Sequence, residues 1–420
     1  MERNMIANSR YEKSIFLLTL LSTFMLIQFG FFDLFWILQV VVIIAQILTS
    51  KKLIITRDKL IRALYITWIL STLLCFASGI PMSYKKNSII AVTFLVPTFF
   101  SVSVYLKNIR QVHFIGCLKK ALVISCTIQL VWCFAQFVLY TGMHIDLNQL
   151  IFSDILHMVE NPSQYKLGVY HPSGMCWHSA FMAPITVLAF VLSESYFIKC
   201  LAVIDAVVCN NATALIGICI CLILTAGFAL FDFLRKTNKS TRKKTVFSLI
   251  VIVLILIPVL VYTDALSIVV QKIVDIYERS SGIVYDGGSA NAHIRYYTSY
   301  PKVVSSGNIV QFLFGYGTGN SGYPISKLFG QYTELKSWAV ESDIMNQLYS
   351  NGIIGFCLFY GVLLYIAIKG LKIDRRYFVL MSSIILAGIT YNIQFDWVIF
   401  IEFMMYFCVK NKVNLFQIGE

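Results

Sequence analysis

Residues 337–370 read SWAVESDIMNQLYSNGIIGFCLFYGVLLYIAIKG, with no charged side chain between Asp343 and Lys369. From Asn346 to Ile368 the run is long and apolar enough to cross the roughly 30 Å hydrocarbon core of a bilayer as a helix. Asp343, Asn346, Gln347 and Ser350/Asn351 continue a polar stripe down that helix. Such a stripe suits an internal cavity better than a lipid-facing surface, because hydrocarbon offers no hydrogen-bond partners. Glu341 and Asp343 stand at the mouth of the span. Two positions apart on a helix they diverge by about 200°, so only one aims at a given substrate unless the helix starts between them. Ser342 is of the residue type that caps a helix start.

Working outward, runs of this kind recur from Ser14 to Val409 across the 420 residues, of which 58% are hydrophobic, 15% aromatic and 13% charged. Soluble domains carry roughly 25% charged residues, so a chain with a mean hydropathy of +0.74 cannot cover a water-facing surface. The expectation is one all-α polytopic membrane domain, 1–420. Twelve spans are predicted at 14–32, 34–50, 62–80, 88–106, 118–140, 178–193, 196–210, 212–232, 246–264, 346–368, 377–393 and 396–410. Arg3, Arg10 and Lys13 precede the first run, which is too long for a signal peptide and reads as a retained helix.

The net charge of +13 is a topology signal. Threading twelve spans places 25 of the 34 Lys and Arg on the N-terminal side, and the rule that basic loops stay inside puts both termini in the cytoplasm. Eleven cysteines fall mostly within apolar runs and read as small core residues, with no disulfide or metal framework. Nucleic acid is not an expected partner; the bilayer is.

Two outer loops, 141–177 and 265–345, exceed what a hairpin needs, and long loops are usually functional. In the second, Val269, Val270, Ile273, Val274 and Tyr277 face away from Gln271, Lys272, Asp275, Glu278 and Arg279, the pattern of a helix lying on the membrane surface. The first has a weaker version, with Gln149, Ser153, His157 and Glu160 opposite Leu147, Ile151, Ile155 and Met158.

From Asn291 the second loop reads NAHIRYYTSYPKVV and then FLFGYGTGNSG. The alternating Gly315, Gly317 and Gly319 allow close turns that point backbone N–H groups at an anion. GYGTGN fits neither the dinucleotide fingerprint nor the P-loop, and a plain Gly-rich turn is the competing reading. His293 sits two residues before Arg295. His171 and His178 flank Pro172 and Trp177, where interfacial histidines without chemistry are the plainer alternative. No outer-side metal-ligand spacing appears. Asp205 and Glu402 are acids inside spans, which makes them functional candidates by default, although both lie near a span end or a polar neighbour.

Arg295, then Phe314-Gly315-Tyr316-Gly317, then Glu341-Ser342-Asp343 and the Gly352-Ile353-Ile354-Gly355 turn resemble the Wzy-type O-antigen polymerases and the related O-antigen ligases. The specific motifs occupy about residues 279–359; the rest of the likeness is topology. The resemblance implies a membrane glycosyltransferase of the bacterial inner membrane. Such an enzyme joins undecaprenyl-diphosphate-linked oligosaccharide repeats at the periplasmic face, without cofactor or metal, beside a chain-length regulator and a flippase. It further implies that Arg295, with Arg279 second, contacts diphosphate through a guanidinium fork, and that Glu341, with Asp343 next, is the base for the acceptor hydroxyl. Ligases carry a histidine where Glu341 stands. Relatives often carry an arginine near Asn210-Asn211, and Lys166 or His171 are substitutes for it. A ligase acting on lipid A core and a non-enzymatic lipid-linked oligosaccharide flippase are the alternatives.

Overall fold

A computed structural model describes residues 2–162, 165–166, 169–209, 212–236, 289–328, 340–392 and 394–417. The predicted span 246–264, the surface helix around 269–279, Arg279, Trp338 and Asn210-Asn211 lie outside the described residues. The chain divides into two units, one of residues 1–221 and 307–420 and one of residues 222–306.

The first unit holds helices α1 (Glu2–Leu20), α2 (Leu34–Ser50), α3 (Lys59–Ala77), α4 (Met82–Tyr105), α5 (Val112–Met143), α6 (Met182–Leu192) and α7 (Tyr196–Val208), and the start of α8 (Ala212–Lys236). The second unit holds the rest of α8 and α9 (Ser289–Ser306), so the stretch around His293 and Arg295 is helical. The first unit resumes with α10 (Ile309–Phe314), α11 (Gly322–Leu328), α12 (Asp343–Gly370), α13 (Arg375–Thr390) and α14 (Asp396–Lys410). Sheet among the described residues is confined to two hairpins of two-residue strands. Five described helices are long and apolar enough to cross a membrane: Lys59–Ala77, Met82–Tyr105, Val112–Met143, Thr213–Lys236 and Asp343–Gly370. The architecture is consistent with an all-α, multi-pass membrane protein.

The first predicted span differs from the structure. Helix α1 stops at Leu20, and an antiparallel hairpin pairs Gln28 with Asp33. Between them Phe24 and Leu26 leave the helical line to pack with Phe152, Val159 and Met175, and the Leu26 N–H donates to the Met175 carbonyl at 3.1 Å. The amphipathic pattern in the 141–177 loop is only partly realised. Gln149–Ile155 is a π-helix, whose i→i+5 bonding breaks the 3.6-residue stripe. Ile151 and Met158 pack inward, but so does Phe152, while Ile155 is exposed.

At one end of this unit polar contacts gather the basic turns. Lys410 pairs with Asp58, Arg376 with Asp374 and Glu194, and Arg110 Nε donates to Asn411 Oδ1. The chain end docks there: Asn414 Nδ2 donates to Asp374 Oδ2 at 3.2 Å, Lys119 Nζ to the Phe416 carbonyl at 2.7 Å, and the Leu415 N–H to Tyr377 Oη at 3.1 Å. Burial raises the Asp58 carboxyl, but the Lys410 ammonium, the Ile61 N–H and Tyr406 outweigh it and hold the group below its ordinary value. Asp374 behaves alike, with burial opposed by the Arg376 guanidinium and N–H and by Asn414. Inside α4, Pro97 lacks the N–H that would pair with the Thr93 carbonyl; Trp36 Nε1 supplies that bond from α2 at 2.9 Å.

Candidate functional site

The site is built on a break in α12. Gly352 has φ +63° and ψ −171°, so the helix is interrupted immediately after its polar stripe ends at Asn351. At membrane depth a carbonyl freed by such a break must find another donor. The Gly-rich loop after α10 supplies it: the Tyr316 N–H donates to the Tyr349 carbonyl at 2.9 Å and the Gly317 N–H to the Ser350 carbonyl at 3.0 Å. Ser71 Oγ of α3 adds a second bond to the Ser350 carbonyl at 2.7 Å. Two glycines permit the approach. A β-carbon on Gly315 would stand 2.3 Å from the Ser350 carbonyl oxygen, and one on Gly352 would stand 2.4 Å from the Leu313 carbonyl. Both residues have positive φ, the region L side chains avoid.

Of the two readings the sequence left open for the alternating glycines, an anion cradle and a plain Gly-rich turn, three of the loop's N–H groups fit the turn. The Gly315 N–H donates to the Gln311 carbonyl, and those of Tyr316 and Gly317 to α12, so these three are committed to protein oxygens.

Side chains complete the junction. Thr318 Oγ1 lies 2.7 Å from Asn351 Oδ1 and 3.0 Å from the Trp68 carbonyl, its one proton serving either. Ser88 Oγ donates to the Thr318 carbonyl at 2.8 Å and accepts from Asn320 Nδ2 at 2.8 Å. Asn351 Nδ2 donates to Gln347 Oε1 at 2.9 Å. The polar stripe on α12 thus faces protein, with Asp343, Gln347, Ser350 and Asn351 buried and Asn346 half-buried.

At the mouth of α12 the helix starts between the two acids. Ser342 is the extended cap residue, and Asp343 is the first helical position. Glu341 is half-buried outside the helix, whereas Asp343 is 1% exposed. Asp343 Oδ1 accepts the Gln394 N–H at 3.2 Å, and Gln394 Nε2 donates to Glu402 Oε1 at 2.9 Å. This chain links the Asp343 carboxylate, through the segment entering α14, to Glu402, a fully buried acid within that helix. The sequence pattern singled out Glu402 but not Gln394, whose only local signal is a polar residue beside an apolar run.

His171 and His178 share no helix. Their segment runs as coil into a 3₁₀ turn at Ser179–Phe181. His178 Nδ1 accepts the Ala180 N–H at 3.0 Å, and its ring stacks on Tyr391 at 5.6 Å. His171 is buried, and its Nδ1 donates to the Cys209 carbonyl at 3.3 Å. Asp205, one turn before Cys209, is fully buried, and neither carboxylate oxygen has a hydrogen-bond partner among the described residues.

The structure brings Glu341, Asp343, Gly315 and Gly317 onto α12 and its docked loop. His293 and Arg295 belong to α9 of the second unit, where Arg295 is half-buried and its carbonyl accepts from Thr298 Oγ1 at 3.4 Å. Lys166 lies in a two-residue strand of the first outer loop. Among the described residues no three His, Cys, Asp or Glu side chains group to hold a metal ion.

No family model matches the chain, and no curated protein sequence matches it.

Proposed function

We propose that this chain is a polymerase of the O-antigen type, a metal-independent glycosyltransferase of the bacterial inner membrane with twelve spans and both termini in the cytoplasm. Its substrate is an undecaprenyl-diphosphate-linked oligosaccharide, and the reaction extends lipopolysaccharide O-antigen or a related surface polysaccharide at the periplasmic face. The observation that carries the reading is the pair of acids at the broken helix. A half-buried carboxylate, Glu341, precedes a deeply buried one, Asp343, held by the Gln394 N–H at 3.2 Å. A carboxylate placed so can take the proton of an acceptor sugar hydroxyl. Arg295, with Arg279 second, stabilises the departing diphosphate as its charge develops.

The interrupted helix favours one rival, because transporters build substrate sites from broken spans. In those sites the freed carbonyls face the cargo. Here the Tyr349 and Ser350 carbonyls are already bonded to Tyr316, Gly317 and Ser71, which supports the enzyme reading over a flippase.

Purified full-length protein incubated with lipid-linked repeats, without added metal, should yield longer glycans. Translocation of repeats without lengthening would overturn the reading in favour of a flippase. Transfer onto lipid A core alone would make it a ligase.

A further inference from the structure

Helix α5 presents Gln129, Cys133 and Gln136 along one face, one turn apart in succession. The coil from His171 to Trp177 lies against that face. Gln129 Oε1 accepts the Met175 N–H at 2.7 Å, and Gln136 Oε1 accepts the Gly174 N–H at 2.8 Å and the Ser173 N–H at 3.2 Å. The other edge of the coil meets the end of α7, where His171 bonds to the Cys209 carbonyl. Cys133 and Cys209 therefore stand on two helices that grip one non-helical segment, and their sulfurs lie 3.3 Å apart. Both thiols are fully buried. Theirs is the one thiol–thiol hydrogen bond among the described residues, although all eleven cysteines are free.

Sequence position makes these cysteines ordinary core residues, and alone each would be one. Their meeting across separate helices adds chemistry, because bringing two sulfurs from 3.3 Å to the bond length of about 2.05 Å needs only a small side-chain movement. We propose that Cys133 and Cys209 form an oxidisable dithiol that closes into an intramolecular disulfide, tying α5 to the end of α7 across the His171–Trp177 coil.

The oxidant is a disulfide, either a thiol–disulfide oxidoreductase on the outer face or, in vitro, oxidised glutathione. One cysteine thiolate attacks an oxidant sulfur, forming a mixed disulfide and expelling the other oxidant sulfur as a thiolate. The second cysteine attacks the mixed disulfide, forming the Cys133–Cys209 bond and releasing the remaining oxidant sulfur. Two protein thiols lose two electrons, the oxidant disulfide gains them, and the two protons leave on the oxidant's thiols. Because both sulfurs are buried, the first step requires the coil to lift from α5. The bond then holds the coil down. Oxidation in the cell rests on the proposed outward orientation of this end, since disulfides persist in oxidising compartments. The chemistry with glutathione does not.

The test uses full-length protein in detergent, both as isolated after alkylation of membranes and after incubation with oxidised glutathione just below its melting temperature. Peptide mapping by mass spectrometry without reductant should find residues 133 and 209 in one cross-linked species lacking two hydrogens. Cys133→Ser and Cys209→Ser should each abolish it, and Cys176→Ser should not. Reductant should lower the melting temperature of oxidised wild type and leave both serine variants unchanged. Absence of the cross-linked species from both samples overturns the proposal, as does pairing of either cysteine with Cys176 in equal yield. None of these readouts depends on glycan synthesis, so failure here is distinct from failure of the polymerase reading.

Discussion

Replacing Gly352 with alanine tests whether α12 and the loop at 315–317 interlock through their backbones. The added β-carbon would stand 2.4 Å from the carbonyl carbon and oxygen of Leu313 and 2.5 Å from the Phe314 nitrogen. These are main-chain atoms and cannot swing away. Alanine at φ +63° and ψ −171°, a region essentially reserved for glycine, costs about 1–3 kcal/mol, and overpacking adds about 1–3 kcal/mol. If the loop is pushed off, the bonds from Tyr316 and Gly317 to the Tyr349 and Ser350 carbonyls are lost as well, at about 1 kcal/mol each. Gly361→Ala, in the same helix with nothing within 4 Å of its added β-carbon, is the control. It should be neutral or gain about 1 kcal/mol from helix propensity. The assay is thermal denaturation of the detergent-solubilised protein followed by size exclusion. Gly352→Ala should melt on the order of 5 °C or more below Gly361→Ala, and cells carrying it should lose long glycans. Equal melting of the two variants would refute the interlocked junction.

Glu341→Gln and Asp343→Asn should each leave an inserted protein that produces single-repeat surface polysaccharide; a full-length ladder from both would sink the base assignment. Gly388→Ala places a β-carbon 2.5 Å from Asp343 Oδ2, so polymer yield should fall while protein level holds, and unchanged yield would show that the position of Asp343 is immaterial. Asp58 and Asp374 have carboxyl groups held below their ordinary values. The stability they contribute is fully present above the unfolded value of about 4 and is lost as pH falls through the lower folded values. Hydrogen exchange in residues 413–417, corrected for intrinsic rates, should rise in that acidic window, and protection that persists would contradict the docking by Asp374. Trp36→Phe should destabilise by about 1 kcal/mol, because the Thr93 carbonyl opposite Pro97 then lacks its donor; unaltered thermal stability would mean that this bond is replaced.

Much of this architecture is legible locally. The helices from Leu34–Ser50 through Val112–Met143, and those at Asp343–Gly370, Arg375–Thr390 and Asp396–Lys410, follow apolar runs whose ends are marked by charges or caps. The start of α12 at Asp343 also follows from residue type, because Ser342 separates the two acids. The end of α1 was not legible, since residues 21–27 are apolar enough to continue a helix yet pack against Phe152 and Met175. The π-helix at Gln149–Ile155 escaped for a related reason: a 3.6-residue stripe cannot register a turn with a different period.

The sequence by itself pointed to an all-α membrane protein, to most of its apolar helices, and to a polar stripe along α12 whose start Ser342 marks. Those properties depend on composition and on spacing within one segment. Tertiary structure decided what meets those side chains. Gly315 against Ser350, Gln394 between Asp343 and Glu402, and Cys133 beside Cys209 join separate segments of the chain. At membrane depth each freed carbonyl and buried amide has to be satisfied by whichever group packing brings alongside, and no local periodicity encodes that neighbour.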